Sequence, residues 1–360
     1  MFRIEMDVCA QRGRANDPEF KNRSVFSSLR CLAVLPSMVL WAAISCLQGF
    51  AQSEGESVVT SQSEQDDQAI VQRDPVEVAY EQLLLLDEQA MDEIDTWIRQ
   101  AGEESLSDDS ASNSITLPAR IEQRLGPVRK AYVEFIESHP THVGVRLAFA
   151  SFLTDRGLEM DARPHLIKAT ELDPQNAPAW NNLGNHYGHM GPVQKAFECY
   201  EMAITLNPEA ALYYHNFGTT VYLFRKDSMA HYQLPEEAIF DKALELYQVA
   251  LSKEPQNFDL AEDIAQTYYG IRSREIPSKM ARPEEAIKAW DYALAIAPGD
   301  IEKQGVLIHL ARVKLQLGEL DEAQQHLDQV LLPMYQELKD RVGRNLSRRR
   351  QDLLPDADLR

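Results

Sequence analysis

Signatures of catalysis and of metal binding are missing from this sequence. It holds no glycine-rich phosphate loop, no Gly-x-Ser-x-Gly, no His-Glu-x-x-His and no cysteine pair at zinc spacing. Cysteine is scarce: Cys9, Cys31 and Cys46 lie near the N-terminus and Cys199 stands alone after them. A chain processed behind residue 51 keeps only Cys199, so no internal disulfide can form. Cys199 itself reads as a small buried residue rather than a reactive thiol. Positive charge is also in deficit, with 36 Lys and Arg against 56 Asp and Glu, a net charge of -20. Residues 1–51 carry six of the basic and four of the acidic residues, which leaves 30 and 52, or -22, on the remainder. That deficit argues against non-specific nucleic-acid binding, which relies on basic patches. It fits solvated acidic helix faces, a protein working outside the cytoplasm, or a binder of cationic partners.

What is present begins with an address. Residues 1–30 are polar and basic, and Cys31–Ser53 carries no charge. A basic flank, an apolar run and the small residues Gly49-Phe50-Ala51 before Gln52 predict an export signal. The same run is long enough to span a bilayer, so an uncleaved membrane anchor is the alternative. A lipid on Cys46 is a third reading, for which Ala43-Ile44-Ser45 is a poor approach. Basic residues precede the run and acidic ones follow it, which places the bulk of the chain outside the cytoplasm, periplasmic, secreted or membrane-anchored. Residues 52–74, rich in Ser, Gln, Glu and Asp, predict a flexible acidic linker.

Helical periodicity starts at Pro75. Tyr80, Leu83, Leu84, Met91, Ile94, Trp97 and Ile98 recur at helical spacing. A second stretch from Pro118 carries Ile121, Leu125, Val128, Tyr132 and Phe135, with a break expected at Gly126-Pro127. Residues 75–140 read as N-terminal capping helices. The most regular stretch is Ala177–Pro208. Trp180, Leu183, Gly184 and Tyr187 lie in its first half, Gly191-Pro192 interrupts it, and Ala196, Tyr200 and Ala203 lie in its second half. This pattern predicts a helix hairpin with Gly184 and Ala196 where the two backbones approach. One such hairpin cannot bury its own apolar face.

These positions resemble the tetratricopeptide (TPR) repeat, with its pattern of Trp, Leu, Gly, Tyr, Gly, Ala, Tyr, Ala and Pro over ~34 residues. The register extends to about five repeats over residues 143–330. Phe149, Ala150, Gly157, Ala162, Leu166 and Ala169 mark the first. Tyr214, Phe217, Gly218, Ala243, Tyr247 and Ala250 mark the third. Ile264, Ala265, Tyr268, Ala286, Trp290 and Ala293 mark the fourth, and Leu310, Ala311, Gly318, Ala323, Leu327 and Val330 a looser fifth. Repeats three and four carry inserted turns. A helical run with Met334, Leu338, Val342 and Leu346 is expected to cap the last hairpin, with a tail to residue 360. The resemblance implies an all-α, right-handed superhelical solenoid of TPR-type hairpins with capping helices at both ends.

The resemblance implies binding rather than catalysis, with no cofactor and no metal. First helices of such a stack line its concave side, which places Asn181, Asn182, Asn185 and His189 of repeat two there or beside it. His215 and Asn216 of repeat three and Asp263 of repeat four join them. Asparagines at the slot of Asn182 and Asn216 pair with a peptide backbone in some relatives, since an amide both donates and accepts. Ala148 and His309 interrupt that ladder at either end. The family's carboxylate clamp is unlike this chain, because Leu147, Asn181 and His215 stand where its basic residues belong. His186, His189 and His215 lack a carboxylate or cysteine to complete a metal set. The insertions carry Arg225, Lys226, Arg272, Arg274 and Arg282, a second contact surface for an acidic or aromatic partner. The expected partner is a protein or peptide, not nucleic acid, with a membrane tether through residues 31–53 and self-association as further options. The reading is a scaffold or adaptor outside the cytoplasm. Its alternatives are a self-associating structural repeat protein or the targeting subunit of a separate enzyme.

Overall fold

The computed structural model describes residues 73–104, 116–272 and 280–352. The proposed export signal, most of the linker and Arg274 lie outside them. The described residues contain helices and no strand; the only β feature among them is one isolated bridge between Arg272 and Met280. None of these helices is long and apolar enough to cross a membrane. The chain divides into two compact units, up to Phe149 and from Ala150.

In the first unit, α1 (Pro75–Glu104) packs along α2 (Leu117–Ser138). Leu83, Ala90 and Ile94 of α1 and Leu125, Val128 and Tyr132 of α2 are buried. Two polar links fix the register. The Tyr132 hydroxyl donates to Asp87 Oδ2 at 2.7 Å, and the Arg124 guanidinium donates to both carboxylate oxygens of Glu93 at 2.9 and 3.1 Å. The break expected at Gly126-Pro127 is absent, and α2 runs through Pro127. A proline forfeits one backbone hydrogen bond of the helix, while its neighbours Leu125 and Val128 are buried on the packed face. Helix α3 (Val143–Thr154) spans the boundary between the units.

The second unit is a solenoid of helix hairpins. Helix α4 (Glu159–Leu172) follows Gly157, whose φ of 69° makes the turn. Then come α5 (Ala177–Met190) with α6 (Val193–Leu206), and α7 (Ala211–Leu223) with α9 (Glu236–Lys253). They are followed by α10 (Phe258–Thr267) with α11 (Pro283–Ile296), and α12 (Asp300–Leu317) with α13 (Leu320–Asp328). Helix α14 (Gln336–Asp352) packs on α12 and α13 through Val342 and Leu346. Met334 sits before α14 in a short 3-10 turn and is exposed, so the capping helix begins later than its apolar spacing predicts.

Three positions recur along the second helices. Ala162, Ala196, Ala243, Ala286 and Ala323 are all fully buried and let backbones approach. Four residues later Leu166, Tyr200, Tyr247, Trp290 and Leu327 fill the space between hairpins. Ala169, Ala203, Ala250 and Ala293 form the third row, and Val330, just past the end of α13, closes it. Alternating small and large side chains at the same register is what lets one hairpin bury the next.

The first insertion is not an open loop. Residues Arg225–Tyr232 form the short helix α8, which packs on α6, α7 and α9. Gln194 donates to Asp227 at 3.2 Å, and the Tyr232 ring lies 5.6 Å from Phe197 with the Lys242 ammonium 4.4 Å above it.

Candidate functional site

The site is the row of first helices α5, α7, α10 and α12 in the second unit. Asn176 caps α5 by accepting from the Ala179 amide at 2.9 Å, and Asn257 caps α10 by accepting from Leu260 at 3.0 Å. These caps set where each helix starts, and hence which residues share a height along the row. One polar bond then joins each first helix to the next. Asn216 Nδ2 of α7 donates to Asn181 Oδ1 of α5 at 3.0 Å. His215 Nε2 of α7 lies 3.0 Å from Asp263 Oδ2 of α10. The Tyr269 hydroxyl, just past α10, lies 3.1 Å from His309 Nδ1 of α12, and that imidazole stacks on Trp290 at 4.2 Å.

The amides form a directed chain. Asn181 Nδ2 donates to Asn182 Oδ1 at 3.3 Å, so Asn216, Asn181 and Asn182 run in series from α7 to α5. Asn181 is only 2% exposed, whereas Asn182 and Asn216 are half-buried. Asn181 therefore lines no open surface, contrary to its expected role at the groove. It is a buried link because α7 packs against the side of α5 that carries it. The series leaves a donor, Asn182 Nδ2, at one end and an acceptor, Asn216 Oδ1, at the other. Asn185 is held too: its Oδ1 accepts from the Tyr200 hydroxyl at 2.8 Å. His189 is exposed at the end of α5.

Charge grades along the row. Asp259, Glu262 and Asp263 make α10 acidic. Burial pushes the Glu262 carboxyl up; a hydrogen bond with Gln266 opposes this, and the Asp263 and Asp259 charges add to it. Behind the row, Arg163 Nε of α4 donates to His186 Nε2 at 2.8 Å. Burial, then the charges of Arg163 and His189, lower the His186 pKa to about 4. The histidines thus point to separate tasks. His186 faces Arg163, His215 faces Asp263, and among the described residues no group of three metal-binding side chains comes together. Spacing could not reveal Arg163, which stands in a different repeat from the histidine it meets.

Two basic residues of the insertions, Arg225 and Arg282, have partners within the chain. Arg225 forms an ion pair with Glu236 at 3.4 Å, and its guanidinium lies 5.4 Å from the Tyr222 and Phe240 rings. Arg282 meets Asp241 at 2.7 Å, with Glu237 and Glu285 both at 3.9 Å. Lys226 and Arg272 are exposed, and Arg274 lies outside the described residues. Cys199 is buried in α6, and burial pushes its thiol up to about 12.

Two family models described as tetratricopeptide repeat match the chain, over residues 177–210 and 279–339. Among solved structures, MamA is 25% identical over 51% of this chain and 95% of its own, with a TM-score of 0.38. YrrB, described as a TPR protein with an unusual peptide-binding site, is 17% identical over 60% of this chain and 99% of its own, with a TM-score of 0.42. PilF of Pseudomonas aeruginosa is 16% identical over 59% and 90%, with a TM-score of 0.42. No curated protein matches the sequence.

Proposed function

We propose that this chain, which matches tetratricopeptide repeat models over residues 177–210 and 279–339, is a non-catalytic protein–protein interaction module that holds an extended peptide segment of a partner across α5 and α7. The observation that carries the reading is the amide series of Asn216, Asn181 and Asn182. Among the described residues it leaves the Asn182 side-chain amide nitrogen and the Asn216 side-chain amide oxygen, on neighbouring helices, without a hydrogen-bond partner. A peptide bond offers the complementary pair, so such a surface reads backbone rather than side chains. The acidic residues of α10 favour basic side chains further along the segment. The inserted basic residues take a lesser part, because Arg225 and Arg282 are already engaged by Glu236 and Asp241.

We place the repeats outside the cytoplasm, released or tethered; the support is the uncharged run Cys31–Ser53 with basic residues before it and acidic ones after. The test of binding is affinity capture from native extract with the full chain beside an Asn182→Ala/Asn216→Ala variant. Two lost hydrogen bonds of about 1 kcal/mol each weaken binding roughly 30-fold. A partner retained equally by both would refute the groove. Capture of the chain's own copies alone would point to self-association instead.

A further inference from the structure

The second unit carries one concentration of positive charge. Helix α14 holds Lys339, Arg341, Arg344, Arg348, Arg349 and Arg350 against Glu337, Asp340 and Asp352, a local charge of +3. The rest of the chain then carries 30 basic and 53 acidic residues, or -23. Arg350 is spoken for, donating to Asp321 at 2.7 Å, and Lys339 donates to the Val330 carbonyl at 2.7 Å. Arg341, Arg344, Arg348 and Arg349 are exposed, and no partner holds them among the described residues. Unpaired arginines in a protein with such an acid surplus are a specific placement, since acids to neutralise them abound.

Arg344 and Arg348 wall a groove between α13 and α14. Its floor includes Leu327 and Gly343, and at Gly343 nothing stands within 4 Å of where a side chain would begin. Gln324, Ser347 and Gln351 add uncharged hydrogen-bonding groups, and Lys339 and Asp340 line the groove as well, the Asp340 carboxylate accepting from Gln336 at 2.8 Å. The two arginines are one helical turn apart, ~5–6 Å between Cβ atoms. Carboxylates at alternate positions of an extended chain repeat at roughly 6.6 Å. The guanidinium fork matches a carboxylate with two parallel bonds.

We propose that the α13–α14 groove docks an extended acidic segment of a partner protein, with carboxylates at alternate positions meeting Arg344 and Arg348. A membrane surface fits less well. Among the described residues, neither α13 nor α14 itself exposes a large apolar side chain, and the exposed Leu331 and Met334 of the turn between them are two side chains rather than the continuous apolar helix face that enters a bilayer. Nucleic acid is opposed by the long-range field of a chain at -20. A short segment is not, because charges beyond ~8–10 Å are screened at physiological salt. This site is separate from the α5–α7 face, so the failure of either leaves the other standing.

The probe is a fluorescein-labelled decapeptide of alternating Glu and Ser, read by anisotropy with the full chain. A Gln–Ser decapeptide and phosphatidylglycerol vesicles are run beside it. The Glu peptide binds and the Gln peptide does not. Arg344→Gln/Arg348→Gln weakens binding at least 10-fold with an unchanged melting temperature, and Arg344→Lys/Arg348→Lys recovers part of it. Equal binding by the Gln variant overturns the proposal, as does no binding. Arginine-dependent binding of the vesicles with none of the peptide also overturns it.

Discussion

A side chain at position 184 would collide with Tyr200. A Cβ on Gly184 would stand 2.8 Å from Cε1 and 2.9 Å from Cδ1 of that ring. The same relationship recurs one repeat on, where a Cβ on Gly218 would stand 3.0 Å from Cδ1 of Tyr247. The glycines make room for the aromatic row that separates hairpins. Gly184→Ala gains helix propensity of up to ~1 kcal/mol, but must displace a ring whose hydroxyl is bonded to Asn185 and Thr220. The expected outcome is a net loss of about 1–2 kcal/mol in a denaturant titration, since overpacking a tight site costs roughly 1–3.

Asn181 holds the binding face from beneath. It is buried, yet it positions Asn216 and Asn182. Asn181→Ala removes the middle of the series and leaves a half-buried amide on each side less fixed. Stability should fall by about 1–2 kcal/mol. Partner affinity should fall several-fold although the residue touches no partner. A full affinity in a destabilised variant would contradict the positioning role.

Acid should loosen the contact between α4 and α5 through His186. Its folded pKa is lowered to about 4 by burial first, then by Arg163 and His189, against about 6.5 unfolded. Between those values the unfolded chain binds a proton that the folded chain does not. The contribution is therefore fully present above about pH 6.5 and is lost as pH falls toward 4. His186→Gln keeps an acceptor for Arg163 Nε and cannot titrate. Its melting temperature should drop less between pH 7 and pH 5 than that of the parent chain; equal drops would remove His186 from the cause.

Cys199 should be inert while the fold persists. Burial, with Glu198 adding and Lys195 opposing, pushes its thiol up to about 12. Iodoacetamide at pH 8 should leave Cys199 unlabelled in the native chain and label it in urea, as read by peptide mapping. Labelling at equal rates in both would mean that α6 is not packed as described.

The hairpins were legible because their packing is local and periodic. Ala196, Tyr200 and Ala203 sit at spacings of four and three, and all are buried on one face. The ends of the site were not legible for the opposite reason. Whether Asn181 faces outward depends on α7, thirty-five residues away, which supplies Asn216. The insertion from Arg225 was visible as an interruption, but not as a helix; its order comes from Phe197, Tyr232 and Lys242 on three separate elements. Basic residues there were easy to count. That Asp241 occupies Arg282 is a tertiary fact that no spacing encodes.

The central claim is that a partner lies across α5 and α7. A benzophenone photo-cross-linker at His189, exposed at the end of α5, tests it against the same group at Glu245, exposed on α9. Irradiation in native extract should yield a discrete cross-linked species from position 189 and none from position 245. The species should weaken in the Asn182→Ala/Asn216→Ala background. A partner captured from position 245 and not from 189 would contradict the claim and move recognition to the second helices.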